Sequence, residues 1–166
     1  SYFVEHIGTA FRKIGFLALK GHFLEESLQK SLYDEMNLFF DLPEETKKSY
    51  EVKNGGGQRG YTRFGKEHAA GRSVGDLKEF WHFGQDLNFK TNLKNVYPEN
   101  LIVKELDNFN KIGALVFLKL EKTAKYVLKA LALYLSLEEN YFDHFIEGGN
   151  SILRAIHYPP ISKPPD

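Results

Sequence analysis

Ser151-Ile-Leu-Arg-Ala-Ile-His-Tyr158, followed by Pro159-Pro160, is the stretch on which the fold turns. Its branched and apolar side chains read as a strand. Side chains alternate along an extended chain, so Arg154, Ile156 and Tyr158 share one face, with Ala155 and His157 on the other. A strand satisfies its backbone only beside another strand. This one is reached just before a proline-rich tail (prolines 159, 160, 164 and 165), so the expectation is that its sheet partners lie beyond Asp166. A guanidinium and a phenol flanking Ile156 could hold a carboxylate at a pocket wall. The same residues also fit a strand with a snorkelling Arg and an edge Tyr.

Upstream, the pattern is mainly helical. Phe3, Val4, Ile7, Ala10, Phe11 and Ile14 form one face, with Gly15 as the stop. Gly15 to Gly21 reads as a short buried strand between glycines. Leu24, Leu28, Leu32, Met36, Phe39 and Phe40 form a second helix that ends before Pro43, with Asp41 capping a short third one. Residues 54–75 are Gly-rich and irregular. Within and after them, Gly60-Tyr-Thr-Arg-Phe64 and Asp76-Leu-Lys-Glu-Phe-Trp-His-Phe83 are strand candidates, and residues 87–100 are a polar connection. A long helix follows from Leu106 to Leu135, weakened slightly by Gly113. Ser136 with Glu139 reads as a capping box opening a short helix to about Phe145, closed by Gly148-Gly149.

The chain has 166 residues, enough for one domain or part of a larger one. Its 22 Lys and Arg balance 22 Asp and Glu, which argues against nucleic acid as the main partner. There is no Cys, so disulfides and thiolate metal sites are excluded. Apolar runs such as Ala114–Leu118 are far too short to cross a membrane. Ser1 leads into an amphipathic pattern rather than a signal peptide, and a reducing cytoplasm is the expected compartment.

The motifs give little chemistry by themselves. Gly55-Gly-Gly-Gln-Arg-Gly60 matches G-x-G-x-x-G, but no helix-like sequence follows, so it reads as a mobile loop. None of the six His has an acid two residues later, and no two are four apart, so no complete metal site is expected. Glu44-Glu45 and Glu138-Glu139 fall at expected helix starts, where capping explains them. Arg59, Arg63 and Arg72, with Tyr61, fit either solvated loop charge or recognition of an anionic small molecule.

Taken in order, several stretches resemble one family. Phe16-Leu-Ala-Leu-Lys-Gly-His22, Phe39-Phe-Asp-Leu-Pro-Glu-Glu-Thr-Lys47, Arg59-Gly-Tyr61, Asp76-Leu-Lys-Glu79 and Arg154 through Pro160 are similar to successive landmarks of the isopenicillin N synthase-like non-haem Fe(II)/2-oxoglutarate-dependent oxygenases. The resemblance implies an α+β fold, incomplete in this chain: an N-terminal helical region plus the first strands of a double-stranded β-helix, or jelly roll. Residues 1–100 would form the N-terminal region, 101–147 the helices backing the jelly roll, and 148–166 its first strand. It further implies oxidation of a small-molecule substrate by O2 with Fe(II) and 2-oxoglutarate, and metal ligands beyond Asp166. Under that implication no catalytic or metal residue lies in this segment. Tyr158 and Arg154 would meet a cosubstrate or substrate carboxylate, and Arg59 and Tyr61 would belong to a substrate-contacting loop. Many plant members carry Asn where this chain has Ile156. A same-fold oxidase that does not use 2-oxoglutarate, and a non-catalytic helical module, are the alternatives.

Overall fold

The computed structural model describes residues 1–53, 57–68, 71, 74–86 and 98–161. Gly55 and Gly56 of the glycine run, Arg72, residues 87–97 of the polar connection, and Pro164 and Pro165 lie outside the described residues.

Helix α1 spans Tyr2–Lys13, with the Ser1 hydroxyl accepting from the Val4 amide and Arg12 and Lys13 in the last turn, both favourable to the helix dipole. Helix α2 spans Glu26–Phe40 and α3 spans Glu44–Ser49. Asp41 closes α2 rather than opening α3, whose N-cap position is held by Pro43. Helix α4, Phe109–Tyr134, is the long central element against which α1 and α2 pack. Gly8 lets α1 close on α4, because a Cβ there would fall 2.1 Å from the Tyr134 ring. Gly113 is likewise a contact point: a Cβ would lie 2.2 Å from the Phe83 ring.

A three-stranded antiparallel sheet of order β1-β2-β3 joins β1 (Gly60–Thr62), β2 (Glu79–Gly84) and β3 (Ile152–His157). The final strand is therefore not alone, contrary to expectation. It pairs upstream with β2, through Glu79↔His157 to Gly84↔Ile152. Its other edge has no strand beside it among the described residues. One face of the sheet meets α2 and α4 in an aromatic core. There Phe39, fully buried, touches Tyr61, Trp81 and Phe109 with ring centroids 4.8–5.8 Å apart.

Two further expectations differ. Phe16 to Lys20 forms no strand among the described residues; Leu17 and Leu19 are half-buried between exposed neighbours, and Phe16 is 81% exposed. The alternation is that of a strand, while the backbone partner that defines one is missing from the described residues. Ser136 caps the end of α4, not the start of another helix. Its φ is +59°, the Leu137 amide donates to Ala132 O at 2.8 Å, and the Ser136 amide donates to Leu133 O at 3.1 Å. That is a Schellman cap with Ser where Gly is favoured. The short helix after it, α5, covers only Asp143–Ile146. Ser136→Gly is expected to raise stability by about 0.5–1 kcal/mol, because the left-handed backbone strains an L side chain. The check is a higher urea midpoint at unchanged slope.

Candidate functional site

The register sorts the side chains of the sheet onto its two faces. On the core face, Glu79 is the hub of a buried polar knot. Its carboxylate accepts from Lys47 Nζ at 2.9 Å, from His157 Nδ1 at 2.8 Å and from the Tyr61 hydroxyl. Lys47 also donates to Phe40 O at 2.9 Å, and the His157 ring stacks on Phe40. Burial would raise the Glu79 pKa, but the three donors outweigh it and hold the carboxyl below its ordinary value. Burial first, then Glu79, pushes the Tyr61 phenol upward. This knot draws one residue from each of α3, β1, β2 and β3. It accounts for Lys47, Tyr61 and Glu79 of the family-like landmarks as structural groups.

The other face carries Phe80 and His82 on β2, with Arg154 and Ile156 opposite them on β3. Phe80 and His82 are buried, whereas Ile156 is exposed and Tyr158 is 68% exposed. The Arg154 guanidinium lies over the Phe80 ring at 4.3 Å and donates from Nε to His82 Nε2 at 2.6 Å. Its two Nη atoms each sit 3.5 Å from a Glu67 oxygen, and Glu67 is itself held by Lys78 at 2.8 Å. Lys78 first, and Arg154 after the opposing effect of burial, keep the Glu67 carboxyl below its ordinary value. His82 Nδ1 meets the Gly57 carbonyl. Burial chiefly, with Arg154 adding to it, lowers the His82 pKa to about 4, so the ring is neutral near pH 7.

Of the four expected site residues, the structure leaves Arg154 and Tyr158 exposed and places Arg59 and Tyr61 inside. Arg59 is only 1% exposed, with Nη1 donating to Gln58 O at 2.8 Å and Asn150 Oδ1 at 2.7 Å. Gly84 makes room for it, since a Cβ there would lie 1.7 Å from Arg59 Cζ. Tyr61 points into the aromatic core because β1 presents alternate residues to it. Tyr61 takes its inward direction from the β1–β2 register, whereas Arg59 lies in the bend just before β1 and is held there by Asn150. Sequence reasoning missed His82 and Glu67. Alternation along Asp76–Phe83 places His82 beside Phe80, but only the β2–β3 register puts Arg154 opposite. Among the described residues no group of three His, Asp or Glu is placed to hold a metal ion. No described helix is long and apolar enough to cross a membrane.

The architecture matches known proteins. The family model of the N-terminal region of non-haem dioxygenases in morphine synthesis matches residues 1–105. A 2-oxoglutarate-Fe(II) type oxidoreductase of Aspergillus fumigatus is 34% identical over 95% of this chain and 49% of its own length. The corresponding oxidoreductase hxnY of Emericella nidulans is 30% identical over 98% of the chain and 48% of its own length. A 2OG-Fe(II) oxygenase family protein from Caulobacter crescentus superposes with a TM-score of 0.86 at 37% identity, over 98% of this chain and 53% of that one. The chain thus spans about half the length of the curated relatives it matches. With a model match over residues 1–105 and a shared fold across nearly all of its length, the chain belongs to the non-haem dioxygenase N-terminal family of the 2-oxoglutarate/Fe(II) oxygenases.

Proposed function

We propose that the chain is the N-terminal part of a cytoplasmic non-haem Fe(II)/2-oxoglutarate-dependent dioxygenase that oxidises a small-molecule substrate with O2. Residues 148–166 then lead into the double-stranded β-helix, residues 101–147 back it, and residues 1–100 form the N-terminal region. The iron ligands lie outside residues 1–166. Arg154 and Tyr158 meet a carboxylate of the cosubstrate or substrate. Arg59 and Tyr61 support the site from within, Arg59 beneath Gly84 and Tyr61 through the Glu79 knot. The observation that carries the proposal is that Arg154 on β3 and Tyr158 just past its end are both exposed, on a sheet whose fold is shared with an oxygenase family protein.

The test uses the complete natural protein containing this sequence. It is expected to convert 2-oxoglutarate to succinate and CO2 only with Fe(II) and O2 present, and Arg154→Ala is expected to raise the KM of a carboxylate reactant about tenfold or more, the loss of a charged hydrogen-bonded contact. Iron-dependent O2 uptake without 2-oxoglutarate would point instead to an oxidase of the same fold. No iron-dependent turnover at all would overturn the proposal in favour of a non-catalytic module.

A further inference from the structure

His82 is buried at 3% exposure and faces Arg154 across the β2–β3 ladder. The Gly57 carbonyl at Nδ1 can only accept, so the ring proton sits on Nδ1. Nε2 is then the lone-pair nitrogen, and it accepts from Arg154 Nε–H at 2.6 Å. A long flexible side chain is thus tied at Nε and laid flat on Phe80 at 4.3 Å. Its outward Nη edge is left pointing at Glu67, whose two oxygens approach the two Nη atoms in a parallel fork at 3.5 Å each. A relaxed bidentate pair closes to about 2.7–2.9 Å. Glu67 is drawn back by Lys78 at 2.8 Å, and so holds the fork loosely.

We infer that His82 is a positioning residue: it presents the Arg154 fork to the carboxylate of a small-molecule reactant, and Glu67 is the chain's own carboxylate waiting at that fork. The inference rests on the proposed function, in which Arg154 meets such a carboxylate. A neutral acceptor suits this role, because a protonated ring would repel the guanidinium it holds. The gain is pre-organisation, which lowers the ordering cost of binding without touching the reaction itself.

The experiment uses the complete protein with Fe(II), comparing the wild type with His82→Leu, His82→Gln and Arg154→Ala. The probes are 2-oxoglutarate as cosubstrate and acetate as a competing carboxylate. If the fork takes the cosubstrate, His82→Leu raises the KM for 2-oxoglutarate about tenfold while kcat stays within about threefold, and His82→Gln, which restores an acceptor, recovers much of the loss. If the fork takes a carboxylate of the substrate, the KM for 2-oxoglutarate stands and inhibition by acetate weakens by a similar factor. Arg154→Ala should match His82→Leu in whichever arm responds, and the double variant should be no worse than Arg154→Ala. An effect of Arg154→Ala without one of His82→Leu would overturn the positioning role and leave the carboxylate site standing. No effect of either would overturn both. A purely structural His82 would lower Tm with both binding readouts unchanged. Should His82→Leu not fold, a KM for His82→Gln as high as that of Arg154→Ala would also count against the role.

Discussion

Glu79→Gln is expected to lower the unfolding free energy by about 3–5 kcal/mol, the usual cost of leaving a buried charge without its counterpart. Glu79 and Lys47 side chains are 6% and 10% exposed, so water does little to replace the lost attraction. The amide is almost the same size as the carboxylate, which keeps a cavity out of the comparison. It offers one acceptor oxygen to three donors: Lys47, His157 and Tyr61. Its own NH2 must then face one of them. Chemical denaturation of the two proteins at pH 7 measures the difference. A loss under about 1 kcal/mol, the level of an exposed pair, would show that the knot contributes no more than surface charge. Lys47→Met combined with Glu79→Leu should recover part of the loss, because removing both charges removes the unpaired one, while Tyr61 and His157 stay short of a partner.

Acid should weaken the fold well before the carboxylates titrate. Burial lowers the His82 pKa from 6.5 to about 4. The groups facing its ring are Arg154 and Arg59, which disfavour its charge, and Glu67, which favours it, besides the Gly57 carbonyl. Because the folded value is the lower one, the unfolded chain takes up the proton first. The contribution is intact above pH 6.5 and is lost as pH falls towards 4. At 1.36 kcal/mol per unit, that is on the order of 3 kcal/mol. The depressed pKa of Glu79 acts in the same direction but in a lower window, below 4.5. Urea unfolding at half-unit steps from pH 7 to 4 should therefore show a slope in the upper window that His82→Phe flattens. A wild-type stability constant from pH 6.5 to 4.5 would rule this out.

Local pattern carried the helices and the course of β2. The apolar spacing from Leu106 to Leu135 marked α4 because a helix repeats within a few residues. The faces of β3 followed from alternation, and Leu153 and Ala155 do pack on the core while Ile156 and Tyr158 do not. Pairings between distant segments were hidden. Lys47 and Glu79 are 32 residues apart and Glu79 and His157 are 78 apart, and no periodicity links such positions. The partner of β3 was missed for the same reason. Ser136 misled because Ser followed three residues later by Glu opens helices, whereas here a left-handed backbone closes one. His82 reads locally as one more buried histidine. Its hold on Arg154 depends on strand register, which composition and spacing do not encode.

The pairing of β2 with β3 also sets a timetable for biosynthesis. β2 ends at Gly84 and β3 begins at Ile152, so at about 5–20 residues per second the ribosome needs roughly 3–14 seconds to make the stretch between them. During that interval the nascent chain holds Glu79 and Lys47 without His157, and one edge of β2 stays without its partner strand. A chaperone that grips extended apolar segments would find its clearest target there, and slower translation past Gly84 should deepen the dependence on it.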